Sequence, residues 1–227
     1  ALAAAIEIAA PDLTVVGLVA PATATVGEAI TVSWTVTNIG AGTAFNDCYD
    51  RVFLSDDAIW DAGDTALIWA RVDAQTPLAP NASYGLSRTV WLPVNALGAK
   101  HLIVFTDSLL EQPETDETNN WRAAPITISN PDLTVVAATA PATASWGQTV
   151  TVSWTVRNQG AGAAVAGWSD AVYVSNSDTF DPATATLVLS AWAGEAAPLA
   201  AGAEYTITRQ IALPSGLTGA AWFHFVA

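Results

Sequence analysis

Fourteen residues from Asp107 to Asn120, DSLLEQPETDETNN, hold five carboxylates and two adjacent asparagines in a chain that is 52% hydrophobic and 12% charged. Oxygen donors at this density suit a divalent cation. Calcium takes roughly six to eight oxygens and accepts irregular geometry, whereas magnesium holds out for a near-octahedral shell. Like charges crowded together without a cation raise one another's pKa and destabilise the fold. The plainer alternative is a solvated loop in which Asn119 and Asn120 shape the turn into the next element. A second acidic run, SDDAIWDAGDTAL, places Asp56, Asp57, Asp61 and Asp64 close together. Such spacing suits a calcium loop but also occurs in ordinary Asp-rich turns.

No catalytic constellation accompanies these carboxylates. His101 and His224 stand at non-equivalent places and neither sits in a ligand pair or triad, so both read as strand residues. Nothing matches a nucleophile elbow, a phosphate-binding glycine loop or a zinc-protease helix, and the chain is read as non-enzymatic. The single cysteine, Cys48, permits no intrachain disulfide and reads as a packing residue. Seven Lys and Arg against 21 Asp and Glu give a net charge of −14, which lacks the basic surface that nucleic acid or anionic membranes require. The longest apolar runs are short and interrupted, so no membrane-inserted helix is expected. The chain starts at Ala1 with no visible signal peptide.

The elements that must position the acidic runs repeat. Residues 11–42 return as residues 131–162 with 22 of 32 positions identical. The offset of 120 becomes 121 after a one-residue insertion, so that Tyr84 pairs with Tyr205. Ile6 and Ile8 match Ile126 and Ile128 at the same offset. Residues 1–10 therefore read as the last strand of a preceding unit, 11–130 as a complete unit, and 131–227 as a second unit that stops before its own acidic stretch and last strand. On this reading the chain is a window on a longer tandem array, and its neighbouring repeats are the expected partners. The surplus first strand also raises self-assembly by strand donation.

Strict alternation in ITVSWTVTN puts Ile30, Val32, Trp34 and Val36 on one face, and the copy does the same with Val150, Val152, Trp154 and Val156. Further runs near 12–19, 49–55, 66–72, 83–92, 99–106 and 121–128 are separated by Gly, Pro, Asn and Asp. Seven strands in about 120 residues predict an all-β fold of tandem immunoglobulin-like antiparallel β-sandwiches, with Trp34 plugging an aliphatic core. In such a sandwich the loop after the sixth strand shares an end with the approach to the third, so the Asp107 stretch is expected to meet Asp47 and Asp50. Asp57, Asp61 and Asp64 belong at the opposite end. Arg88 and Arg209 lie on the inward parity, where each either pairs with Asp50 or Asp170 or sits at the rim. Of the ten tryptophans only Trp34 and Trp154 match between copies; Trp60 aligns with Phe180, Trp146 with Val26 and Trp168 with Cys48, which argues against a repeated sugar platform.

The blocks PDLTVV, GEAITVSWTVTNIGAGTA, YDRVFLSDDAIWDAGDTAL, SYGLSRTVWLP and HLIVFTDSLLEQPETDETNN, in that order, resemble CARDB, the cell adhesion related domain found in bacteria. The family's closing pattern fits Asp107, Glu114, Glu117, Asn119 and Asn120. The resemblance implies an extracellular, immunoglobulin-like building block of prokaryotic surface or secreted proteins. The expected role is a non-catalytic stalk, spacer or filament stiffened by calcium. Two alternatives remain open: an adhesin module binding carbohydrate or protein, and an accessory segment of a secreted hydrolase. The expected calcium ligands are Asp107, Glu114, Glu117, Asn119, Asn120 and Asp50, with Asp57, Asp61 and Asp64 for a second ion.

Overall fold

A computed structural model describes residues 3–145 and 147–227, so Trp146 lies outside the described residues, as do the first two of the ten assigned to a preceding strand. The chain divides into two compact units, Ala1–Ile128 and Ser129–Ala227, each with its own core. Residues 3–12 form no strand, and Ile6 and Ile8 are 83% and 86% exposed.

Unit 1 comprises β1 (Leu13–Val19), β2 (Thr23–Thr25), β3 (Ala29–Asn38), β4 (Tyr49–Ser55), β5 (Thr65–Arg71), β6 (Ser83–Trp91), β7 (Gly98–Phe105) and β8 (Trp121–Ser129). Two sheets result, one ordered β1-β3-β6 and one β2-β8-β7-β4-β5. All seven expected strands are there, with β2 added at an edge. Period-two alternation does the sorting: in β3 Ile30, Val32, Trp34 and Val36 are buried while Thr31 faces water. They meet Val52, Leu54, Leu102, Val104, Ile126 and Ile128 from the facing sheet. The edge strand β5 stays with β4, to which a tight acidic turn joins it, rather than crossing to β6 as in constant-type immunoglobulin domains.

Unit 2 repeats the plan with β9 (Leu133–Thr139), β10 (Thr149–Asn158), β11 (Ser169–Ser175), β12 (Thr186–Trp192), β13 (Glu204–Ala212) and β14 (Trp222–Val226). Its sheets are ordered β13-β10-β9 and β12-β11-β14. The fold is an all-β pair of immunoglobulin-like sandwiches.

Candidate metal centre

The acidic stretch is the loop from β7 to β8, closed at its base where Thr106 N–H donates to Asn120 O at 2.8 Å. Asp107 starts it in a left-handed backbone conformation, φ 42°, which Asp tolerates better than most residues. Its carboxylate accepts from the Glu111 and Gln112 N–H groups, both at 2.9 Å, and so winds the chain around itself. Glu114 reaches across to the other sheet, where its Oε2 accepts from Leu13 N–H of β1 at 2.5 Å. Glu117 folds back to accept from Glu114 N–H at 3.2 Å. These bonds bring one oxygen each of Asp107, Glu114 and Glu117 within 4.8 Å of one another. Asp107 is buried and the two glutamates are partly so.

The Asn120 amide adds a fourth oxygen. Its two orientations differ sharply in quality. With nitrogen toward the carboxylates it makes two long contacts, 3.4 Å each, to Glu114 Oε1 and Glu117 Oε2. Turned over, the nitrogen donates to Asn119 Oδ1 at 2.8 Å, Leu13 O at 2.9 Å and Asp116 O at 3.3 Å. The second orientation satisfies acceptors that the first leaves facing an oxygen, and hydrogen-bond networks decide amide assignments on such grounds. Asn120 Oδ1 then faces two carboxylates, and the four oxygens together offer a positive charge its ligands. None of the ion pairs formed by the described residues involves this group.

Electrostatics agree with the geometry. Burial pushes Glu114 up to about 8, with the Asp107, Glu117 and Asp12 charges adding to it and the Leu13 N–H opposing. Burial also pushes Asp107 up to about 6, against its two backbone hydrogen bonds. Asp116 moves the other way because the Thr118 hydroxyl and N–H both bond it, and it points out of the cluster.

Other residues expected in this shell do not join it. Asn119 turns its Nδ2 to Asp12 Oδ1 at 2.9 Å and its oxygen to Asn120, so it supports the ligand set from behind. Asp50 is fully buried between the sheets. Its carboxylate accepts from Trp34 Nε1 at 2.6 Å, Thr106 Oγ1 at 2.8 Å, Tyr84 OH at 3.0 Å and the Asp107 backbone N–H, so all four of its acceptor sites are taken. Burial raises its pKa while these donors hold it down. Asp47 lies outside as well, bonded to Thr76 Oγ1 at 2.7 Å and Arg71 at 3.2 Å. The two loops do meet, but through Asn46, which donates to Gln112 Oε1 at 2.9 Å and to Glu111 O at 2.7 Å.

The second acidic run, between β4 and β5, folds as a turn. Asp57 caps Ile59 N–H at 2.8 Å, Asp61 caps Gly63 N–H at 2.6 Å and Asp64 accepts from Asp61 N–H at 3.0 Å. Lys100 pairs with Asp56. Among the described residues, Asp57, Asp61 and Asp64 form no carboxylate group of metal-binding size. The copy keeps the same turn, with Asp181 capping Ala183 N–H at 2.9 Å, although Thr184 replaces Asp64. Those carboxylates shape backbone. Arg88 and Arg209 sit away from Asp50 and Asp170, each donating to a carbonyl on its own strand.

A family model for CARDB matches residues 10–124 and again 130–220. The chain belongs to the CARDB family. CARDB is a non-enzymatic, adhesion-related domain family. Among solved structures, the CARDB domain of a Pyrococcus furiosus protein in complex with di-metal ions is similar at 20% identity over 54% of this chain and 97% of its own, with a TM-score of 0.41. A solution structure of that domain gives a TM-score of 0.40 at 20% identity, over 53% of this chain and 97% of its own. A β-glucosidase from Listeria innocua in complex with glucose is 12% identical over 53% of this chain and 16% of its own, at 0.34. No curated protein matches the chain.

Both CARDB units of this chain share a buried polar framework that hydrophobic patterning does not reveal. In unit 2 Asp170 accepts from Trp154 Nε1 at 2.6 Å and Tyr205 OH at 2.7 Å, repeating the Trp and Tyr bonds of Asp50. Asn38 and Asn158 form matching clamps: Asn38 Nδ2 donates to Gly42 O and Leu78 O at 2.8 and 3.0 Å, and Asn158 Nδ2 to Gly162 O and Leu199 O at the same distances. Their retention in both copies was the available signal. The exposed tryptophans carry no such repeat, since Trp69 lies on the larger sheet of unit 1 and Trp91 on the smaller, so they form no common row. Cys48 is buried in the core, which raises its thiol pKa. His224 bonds Ser175 within its sheet. Among the described residues no helix is long and apolar enough to cross a membrane.

Proposed function

We propose that this chain is an extracellular spacer or adhesion segment of a prokaryotic surface or secreted protein, stiffened in unit 1 by calcium held by Asp107, Glu114, Glu117 and Asn120. The observation that supports this reading is the convergence of three carboxylates and one amide oxygen that, among the described residues, form no ion pair with a cationic side chain. Oxygen-only, partly open and irregular, the set favours calcium over magnesium, with water completing the shell. The position explains the benefit. Asp107 continues β7 of one sheet, and Glu114 is bonded to β1 of the other, so an ion between them staples the sandwich at one end. That suits a module whose task is to hold distance under load.

Calorimetric titration of the full chain with calcium, then magnesium, after treatment with EDTA tests the reading. One calcium site is expected, lost in Glu114→Gln with Glu117→Gln, and weaker magnesium binding. No heat and no calcium-dependent rise in melting temperature would refute it.

A further inference from the structure

The larger sheet of unit 1 is packed on both faces. Val52, Leu54, Leu102 and Val104 point into the sandwich, and the residues between them point outward, where Phe53, Ile103 and Phe105 form a separate buried cluster with Trp60, Trp121 and Ala123. The strand register draws one row across this outer face. Trp69 of β5 stands opposite Arg51 of β4, Arg51 opposite Phe105 of β7, and Phe105 opposite Trp121 of β8. Trp60, carried by the turn between β4 and β5, closes edge-on over Phe105 at 4.8 Å and over Phe53 at 6.1 Å. Trp69 keeps 51% of its surface in water. Three indoles and a guanidinium thus share one face.

Arg51 differs from every other cation of the chain. Its guanidinium lies 3.8 Å from the centre of the Trp69 ring and 4.5 Å from that of Phe53. Of the seven basic side chains, Arg71, Lys100 and Arg157 meet carboxylates, and Arg88, Arg122 and Arg209 meet carbonyls. The Arg51 guanidinium forms no ion pair among the described residues, and its Nε is buried without an acceptor. Trp60 Nε1, on the same face, is buried without one too. The adjoining row, Phe53, Ile103 and Ala123, brings no carboxylate to either. Unit 2 shows that the fold does not require this row. Its counterparts there are Ser190, Ala171 and Val226, paired in the same register.

We propose that this face binds an acidic polysaccharide, with sugar rings stacked on Trp69 and Trp121 and a uronate carboxylate held by Arg51. A sugar ring carries C–H groups on its face and oxygens around its rim, so it covers an indole while offering acceptors to N–H groups that have none. A guanidinium stacked on an aromatic ring keeps its rim for the paired hydrogen bonds that a carboxylate accepts. Strands about 4.8 Å apart make each step along the row close to the length of one sugar unit, so a chain lying across the strands meets a side chain at each unit. An extended peptide pairs with a sheet edge, whereas this row crosses the middle of a face. The net charge of −14 opposes an anion only at a distance, since 0.1 M salt screens it within about 10 Å, and contact is with Arg51. The inference goes beyond the spacer role and does not depend on the cation site.

Calorimetric titration of the full chain with oligogalacturonate, hyaluronan and alginate fragments tests this. EDTA is kept present throughout, so that neither the cation site nor calcium bridged by the uronates enters the result. Saturable binding of at least one of the three is expected, weakening as salt rises. Trp69→Ala and Arg51→Gln are each expected to weaken it at least tenfold with an unchanged circular dichroism spectrum, because neither side chain belongs to a core cluster. Neutral cello-oligosaccharides and polyglutamate are expected not to bind. No saturable binding of any uronate, binding that either variant retains in full, or equal binding of the neutral sugar or of polyglutamate would overturn the proposal.

Discussion

Replacing Glu114 by Gln acts in opposite directions with and without a cation. In the metal-free protein burial holds the Glu114 proton until about pH 8, against an ordinary value of 4.5. The unfolded chain therefore releases this proton first, and the folded state binds more protons throughout the interval. Stability contributed here is complete below about pH 4.5, falls as pH rises, and is lost by about pH 8. The interval corresponds to about 5 kcal/mol at 1.36 kcal/mol per tenfold change in acidity. Water reaches part of the side chain, and discounting by about half for screening leaves on the order of 2 kcal/mol. Gln cannot ionise, so metal-free E114Q at pH 8 gains about 2 kcal/mol, roughly 8 °C in the melting temperature of a domain of this size. Calcium at about 100 times its dissociation constant gives the wild type about 2.7 kcal/mol, and most of that disappears in the variant.

Scanning calorimetry of the full chain in EDTA and in calcium, at pH 5, 6.5 and 8, reads all of these effects. Hydrogen exchange assigns each transition to its unit. Unit 2, whose described residues hold no such carboxylate group, is the internal reference. Two results would refute the reasoning: a metal-free wild type whose unit 1 transition stays at one temperature from pH 5 to pH 8, or a metal-free E114Q less stable than wild type at pH 8.

Asp50→Ala strands Trp34 Nε1, Tyr84 OH and Thr106 Oγ1 in the core and is expected to cost unit 1 about 3–5 kcal/mol in urea denaturation followed by tryptophan fluorescence, with Asp170→Ala doing the same to unit 2. Asp61→Ala with Asp64→Ala removes only turn caps, so a loss of about 1–2 kcal/mol and an unchanged calcium titration are expected, and weaker calcium binding would revive the second site. Asn38→Ala strands Asp12 N–H, Gly42 O and Leu78 O, and a loss of about 3 kcal/mol should appear as a lower denaturation midpoint with the slope retained.

Strands, their inward faces and the two-unit plan were legible because period two and the 120-residue repeat are written directly into the chain. The acidic loop was legible as a cluster, but its members were not. Spacing along a chain cannot say which oxygen a neighbouring N–H will claim: Asp107, Glu114 and Glu117 converge, while Asn119 is drawn off by Asp12 and Asp50 by Trp34. Asp57, Asp61 and Asp64 serve their own turn for the same reason, since a short loop satisfies its own amides with whatever carboxylates it carries. A better discriminator lay in comparing the copies. Trp34, Asn38, Asp50 and Tyr84 return as Trp154, Asn158, Asp170 and Tyr205, and every one of them is framework.

That framework also explains why a cation would act on the whole sandwich and not merely on a surface loop. Asp50 bonds the Thr106 hydroxyl, and the Asp107 backbone N–H lies against the same carboxylate, so the first ligand of the cluster starts from the buried core. At the far end of the loop Asn120 is fully buried, with its nitrogen donating to Leu13 O while Glu114 accepts from Leu13 N–H, so β1 is held through both backbone groups of its first residue. Charge neutralised at the centre of such a loop cannot relax locally. It would be felt where β7 meets Asp50 and where β1 meets Leu13, so a bound cation would stiffen that end of the sandwich.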